Sequence, residues 1–200
     1  MSIITALLVI LVAYGLGCLT TAYYLIRLRL GDDIRQHGSG NVGARNAGRV
    51  LGPVGFATAF VGDVIKGMIA IWLAFFFELN LWAVMLTMIA VVAGHIWPVQ
   101  LGFRGGKGLA TALGVLLVFD IRFTLIILLI AGLVLALSRH VIAAGLIGVI
   151  AAPVVSILVG HPLPIVLGVT ILVLLILAAH RTNIQALFKS WREQSPSEPS

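Results

Sequence analysis

The chain has 200 residues, of which 60% are hydrophobic, with 13 basic and 7 acidic residues, a formal net charge of +6 and a mean hydropathy of +1.14. A water-soluble domain usually carries about 25% charged residues, whereas this chain has 10%, too few to cover a water-facing surface. That balance excludes a soluble enzyme, a disordered chain and a free nucleic-acid-binding domain despite an isoelectric point near 10.3, and the single cysteine, Cys18, excludes a disulfide scaffold.

What remains is an integral membrane protein. Residues 3–26 form a run of 24 without a charge, long enough to cross an apolar layer of about 30 Å. No basic residue precedes it and no small-residue cleavage site follows, so it reads as an anchor. Further apolar runs cover 53–77, 81–99, 109–119, 123–137, 141–159 and 163–179. The run 109–119 is short for a span, at about 1.5 Å of rise per residue, and fusion with 123–137 into one long span is the alternative. Charge decides against fusion. With seven spans and the N-terminus outside, Arg27, Arg29, Arg35, Arg45, Arg49, Arg104, Lys107, Arg139, Arg181, Lys189 and Arg192 share one side, 11 of the 13 basic residues. Six spans would split them seven against four, so the positive-inside rule predicts seven spans and a cytoplasmic C-terminus. Continuous apolar runs, in place of strict alternation, predict helices and not a barrel. The expected architecture is therefore an all-α, seven-helix membrane domain over residues 1–200, its 22 glycines suiting close helix packing. The polar, Pro- and Ser-rich end, 190–200, reads as a flexible tail.

Three segments on the predicted cytoplasmic side are chemically unusual. The first is Gly38-Ser-Gly-Asn-Val-Gly-Ala-Arg-Asn-Ala-Gly-Arg49. Glycines 38, 40 and 43 match a dinucleotide-binding fingerprint in form, but this chain has no room for the βαβ unit that gives the fingerprint meaning. Its physics still applies: Gly40 and Gly43 let backbone approach an anion, and Ser39, Asn41, Arg45, Asn46 and Arg49 add donors. Arg27 and Arg29 need no more than a topology-setting role. In the second span Asp63 and Lys66 stand three apart, the spacing of an internal ion pair that places the helix.

The second segment runs Gly94-His-Ile-Trp-Pro-Val-Gln-Leu-Gly-Phe-Arg-Gly-Gly-Lys-Gly-Leu-Ala-Thr111. It fails as a P-loop, because Leu101 replaces the first glycine and Gly108 the hydroxyl residue. Even so, Arg104, Gly105, Gly106, Lys107 and Gly108 lead directly into a helix, with Thr111 in its first turn, and such a junction binds anions. His95 reads as a structural, hydrogen-bonded histidine near a helix end. The third segment, His180-Arg-Thr-Asn183-Ile, puts His180 and Asn183 on one helical face where the last span ends.

No histidine is followed five positions on by an aspartate, no histidine and cysteine spacing suits a metal, and there is no Gly-x-Ser-x-Gly elbow. The seven acidic residues offer no pair of catalytic carboxylates. The residues alone thus describe a helical bundle with two Gly/Lys/Arg anion cradles and a His/Asn pair at the cytoplasmic interface. Two phosphate-like groups beside an apolar interior suggest one water-soluble phosphorylated substrate and one lipidic partner.

These segments resemble the motifs of the bacterial acyl-phosphate:glycerol-3-phosphate acyltransferase family. The resemblance rests on Ser39-Gly-Asn-Val-Gly-Ala with Asn46 and Arg49, Asp63-x-x-Lys66-Gly, Gly94-His-x-x-Pro98 through the glycine-lysine block to Gly114, and His180-Arg-x-Asn183-Ile. It implies transfer of a long-chain fatty acyl group from acyl-phosphate to the 1-hydroxyl of glycerol 3-phosphate, yielding lysophosphatidic acid and phosphate at the first committed step of bacterial phospholipid synthesis. It implies an active site of Ser39, Arg49, Lys107, His180 and Asn183 facing the cytoplasm from the bacterial inner membrane, with the glycines around Lys107 serving acyl-phosphate. No cofactor, nucleic acid or obligate protein partner is expected. Arg45 stands where the family usually has threonine, and Ala186, Ser190 and Arg192 also depart from its pattern. A transporter of a phosphorylated metabolite and a non-catalytic lipid-binding paralogue are the competing readings; neither accounts for all three segments.

Overall fold

The computed structural model describes residues 2–186, so the tail expected over 190–200 lies outside the described residues. Among them every regular element is helical: α1 Ile3–Cys18, α2 Thr21–Leu30, α3 Ala44–Phe76, α4 Leu81–Ile96, α5 Leu109–Phe119, α6 Ile121–Ser138, α7 Val141–Leu158 and α8 Leu163–Ala179, with short 3-10 turns at Ile34–Gln36 and Val99–Leu101. The seven apolar runs correspond in order to α1 with α2, then α3 to α8. Four of these segments are long and apolar enough to cross a membrane, and the bent pair α1–α2 is a fifth. Helices α5 and α8, of 11 and 17 residues, are shorter.

The run 3–26, expected as one helix, is broken. α1 ends at Cys18 and α2 leaves at 43° to it. The break frees backbone carbonyls at membrane depth, where partners must come from within the protein. Lys66 Nζ donates to the Gly17 and Leu19 carbonyls, both at 3.0 Å, and Gln100 Nε2 donates to the Cys18 carbonyl. On the other side the Thr21 N–H donates to Asp63 Oδ1 at 3.3 Å. The isolated charges of the second span are therefore what makes the bend in the first span tenable.

The second span was expected to begin at residue 53, yet the helix starts at Ala44. It kinks at Gly52, whose φ of 69° is open to glycine, and Pro53 follows with no N–H to lose. The kink hangs a helical arm, 44–51, below the span, and this arm carries Arg45, Asn46 and Arg49. Between α5 and α6, Asp120 ends one helix and starts the next: its N–H donates to the Leu116 carbonyl, and its Oδ1 accepts from the Arg122 and Phe123 N–H groups. The two runs 109–119 and 123–137 are accordingly separate helices.

α4 packs against α1, α3, α5 and α8, while α3 pairs with α5 and α7 with both α6 and α8. Gly17 and Gly94 let α1 and α4 touch backbone to backbone, and Gly67 and Gly114 do the same for α3 and α5. Met88, Val91, Val92, Ile71, Val115, Val169 and Ile176 fill the interior. Leu7, Leu11, Trp72, Phe76, Leu129 and Leu174 face outward, the reverse of a water-soluble surface and the expected one against lipid. These contacts bring the N-termini of α3, α5 and α7 and the C-termini of α4 and α8 to one end of the bundle.

Candidate active site

The loop before α3 is built on Asn46. Its side-chain oxygen accepts from the Ser39 N–H at 2.9 Å, and its amide donates to the Ile34 and His37 carbonyls at 3.2 and 2.9 Å. Both amide hydrogens of this fully buried side chain are committed, so Asn46 shapes the loop at the edge of the cavity that it lines. The hydroxyl of Ser39 remains exposed. Helix α3 starts at Gly43, which accepts from the Asn46 and Ala47 N–H groups, while the N–H groups of Ala44 and Arg45 begin the helix without an intrahelical partner. Arg35 ties the loop in place: it chelates Asp33, at 2.6 Å between Nη2 and Oδ2, and donates from Nη1 to the Leu101 carbonyl at 2.9 Å. The Asp33 carboxyl is held below the usual carboxylate range, chiefly by that hydrogen bond from Arg35.

The glycine-lysine loop is divided. The Gly105 and Gly106 N–H groups donate to the Ile96 and His95 carbonyls, both at 3.0 Å, closing the end of α4. Those two amides, expected to cradle an anion, are spent. Gly106 is buried because the imidazole of His95 occupies the place a side chain would take. Thr111 is also fully enclosed, its hydroxyl unpartnered and out of contact with the open space. The open part is Lys107, Gly108 and the first turn of α5, entered through Gly108 at φ 84°.

From α8, His180 caps the helix and Asn183 follows in the next turn. His180 Nδ1 donates to the Ile176 carbonyl at 2.8 Å, which sets the tautomer and leaves Nε2 as the ring's acceptor. Burial, with the Lys107 charge adding to it, pushes the His180 pKa below the ordinary histidine value. Asn183 Oδ1 accepts from Lys107 Nζ at 2.5 Å, joining segments 76 residues apart. Burial, then the neighbouring Arg45 charge, holds the Lys107 ammonium below the usual lysine pKa.

All three segments open onto one cavity of about 1010 Å³. Ser39, Gly40, Asn41, Gly43, Arg45 and Arg49 line one wall, and Arg104, Gly105, Lys107 and Gly108 another. His180 and Asn183 close it. Arg45, Arg49 and Arg104 are exposed and have no carboxylate within 4.0 Å among the described residues. Two helix N-termini, those of α3 and α5, thus face one space already rich in unpaired cations, a setting that attracts two anions. Beneath lies the Asp63, Lys66 and His95 cluster, with Lys66 Nζ 2.8 Å from Asp63 Oδ1 and 2.9 Å from His95 Nδ1. Lys66 is turned away from the open space, whereas Asp63 and His95 line it.

Sequence reasoning did not identify the apolar wall of Phe56, Phe60, Leu109, Val141 and Ile142. The spacing of the stacked pair Phe56–Phe60, four residues apart just after Pro53, was the available signal, but in a chain this apolar it is shared by many pairs.

A family model described as glycerol-3-phosphate acyltransferase matches residues 7–190. Glycerol-3-phosphate acyltransferase 1 of Desulfitobacterium hafniense (strain Y51) is 45% identical over 181 residues, covering 90% of each chain. The glycerol-3-phosphate acyltransferase of Clostridioides difficile (strain 630) is 38% identical over 192 residues, covering 94% of each. Among solved structures, PlsY (YgiH), an integral membrane glycerol 3-phosphate acyltransferase, superposes in its glycerol 3-phosphate form with a TM-score of 0.86 at 34% identity, over 92% of each chain. Its lysophosphatidic acid form gives 0.84 at 33% identity and the same coverage.

Proposed function

This chain belongs to the glycerol-3-phosphate acyltransferase family, and we propose that it draws its acyl group from a long-chain acyl-phosphate bound in the cavity. It is an enzyme of phospholipid synthesis, acylating glycerol 3-phosphate to lysophosphatidic acid. The observation that carries the donor assignment is the convergence of two helix N-termini, Lys107 and three unpaired arginines on one space bordered by an apolar wall. Two phosphates fit the cations, and an acyl chain fits Phe56, Phe60, Leu109, Val141 and Ile142.

Lys107 and the first turn of α5 take the acyl-phosphate. Ser39, Arg49, His180 and Asn183 take glycerol 3-phosphate and its reacting hydroxyl, with Gly40, Asn41, Gly43 and Arg45 beside its phosphate and Arg104 at the mouth. Asn183 links the two halves through its contact with Lys107. An acyl-phosphate is a mixed anhydride with a good leaving group, so the enzyme need not supply a nucleophile. The 1-hydroxyl oxygen attacks the carbonyl carbon, the bond to the phosphate oxygen breaks, and phosphate departs with the electron pair and the hydroxyl proton. His180 Nε2, neutral at pH 7, accepts a hydrogen bond from the hydroxyl and orients it. Holding both substrates in register supplies much of the acceleration.

The same reading makes residues 1–200 one domain of seven spans in a bacterial inner membrane, with the N-terminus outside and the cavity on the cytoplasmic side. Arg27, Arg29, Arg45, Arg49, Arg104 and Arg181, gathered at the cavity end, support that orientation. Purified protein given palmitoyl-phosphate and glycerol 3-phosphate is expected to release phosphate and lysophosphatidic acid in equal amounts. No release across lipid and pH conditions, with turnover of another acyl donor, would overturn the donor assignment.

A further inference from the structure

His95 has more to offer than its place in the buried cluster requires. The Lys66 ammonium, which can only donate, lies among four acceptors: Asp63 Oδ1 at 2.8 Å, His95 Nδ1 at 2.9 Å, and the Gly17 and Leu19 carbonyls, both at 3.0 Å. Facing a donor at 2.9 Å, Nδ1 carries the lone pair, which puts the ring's hydrogen on Nε2. That Nε2–H has no partner among the described residues, although the residue is only 3% exposed. Nor is it sealed. The fully enclosed, unpartnered side-chain polar atoms among the described residues are Thr20 Oγ1 and Thr111 Oγ1, so Nε2 opens onto the cavity that His95 lines. Gly106 lies directly over this nitrogen, and any side chain there would displace the ring.

Depth tells what this donor meets. Arg45, Arg49 and Arg104 are exposed at the cavity's mouth, and Lys107 is half-buried below them. His95, on the spanning helix α4, belongs to the floor with Asp63, which is 1% exposed. Phosphates are drawn to the charged mouth. The part of an acyl-phosphate that lies deeper, between its phosphate and its chain, is the carbonyl group, and a neutral N–H suits a carbonyl oxygen that becomes charged only during attack.

We propose that His95 is a catalytic residue whose Nε2–H donates to the acyl carbonyl oxygen, with Lys66 and Asp63 as the positioning residues that fix its tautomer. The proposal rests on the acyl-phosphate reading. As the 1-hydroxyl oxygen bonds to the carbonyl carbon, the carbonyl π pair moves onto oxygen and Nε2–H stabilises it. The pair returns as the carbon–phosphate oxygen bond breaks, and phosphate leaves carrying the hydroxyl proton.

Two substitutions separate this role from a structural one. His95→Asn keeps an acceptor near Nδ1 for Lys66 but removes the distal donor, while His95→Gln restores an N–H near Nε2 at the expense of the proximal acceptor. With palmitoyl-phosphate and glycerol 3-phosphate, His95→Asn is expected to lose about 10²–10³-fold in kcat. Its KM for glycerol 3-phosphate stays near that of the unsubstituted chain, and His95→Gln recovers most of the rate. A purely structural histidine gives the opposite order, and that order, equal losses in both variants or an undiminished rate in His95→Asn would overturn the proposal. If neither variant folds, the unsubstituted chain decides. The infrared carbonyl stretch of bound ¹³C-palmitoyl-phosphate, without acceptor, is expected below its value in detergent alone, and an unshifted band would overturn the proposal. A chain that turns over glycerol 3-phosphate with a different donor and not with palmitoyl-phosphate would refute the donor reading itself, and the inference with it.

Discussion

Two polar clusters sit at opposite ends of α5, α7 and α8, and they differ in what they leave unused. At the end away from the cavity, His161 donates from Nε2 to Asp120 Oδ2 at 3.0 Å, and its Nδ1 pairs with Ser156 Oγ at 3.0 Å. Phe119 and Phe123 meet the ring edge-on, and the other Asp120 oxygen accepts two backbone N–H groups. Serine, histidine and aspartate in contact look like a hydrolytic triad, yet both ring nitrogens and both carboxylate oxygens are occupied and Ser156 is fully buried. This cluster is a clasp between the α5–α6 and α7–α8 connections. At the cavity end, Arg45, Arg49 and Arg104 have no carboxylate partner among the described residues, and the first turns of α3 and α5 retain free N–H groups. A buried polar group whose valences are all met stabilises the fold; one with valences to spare is available to a ligand.

That contrast breaks if the two ends respond alike to substitution. Lys107→Ala and His180→Ala are each expected to lower kcat by about 10²–10³-fold while thermal melting in detergent stays close to that of the unsubstituted protein. A normal rate in either would remove that residue from the site. The pH profile sharpens the point. Because the His180 pKa is lowered, its neutral form persists below the ordinary value of about 6.5, so the rate stays level through neutrality and falls only in more acid solution. In His180→Asn the residual activity should lack that limb, and an unchanged profile would assign the titration elsewhere.

Gly106→Ala comes next, since the added methyl collides with His95 Nε2 and the Val42 carbonyl. A displacement of this size should cost up to about 10²-fold in kcat/KM, measured with both substrates varied. His161→Ala is the converse case. Leaving Asp120 and Ser156 short of a partner should reduce stability by about 1–3 kcal/mol, read as a lower melting temperature, with the rate per folded molecule nearly unchanged. Smallest is Arg45→Ala, with a rise in KM of no more than about fivefold that shrinks as salt is added. Arg45 is one of the two causes that hold the Lys107 pKa down. Removing it should therefore move the alkaline limb of the rate profile to higher pH.

Much of this molecule is written in the order of its residues. The apolar runs mark the helices, because a membrane admits a continuous backbone only when its hydrogen bonds close within the segment. Glycine, lysine and arginine density at 38–49 and 104–108 marks the candidate anion sites, because few other combinations bring so many donors to so small a space. Local pattern could not say which donors are already spent. Asn46, Gly105 and Gly106 have the residue types of an anion cradle, but their hydrogen bonds go to Ser39, Ile34, His37, Ile96 and His95. Nor could it say that Asp63 and Lys66 stabilise a bend between Cys18 and Thr21 through contacts that span 42 residues or more. Periodicity records what each segment needs from its surroundings, apolar or wet. Which distant side chain meets a freed carbonyl, and which N–H is left over for a substrate, depends on how the helices cross, and only the packed bundle decides that.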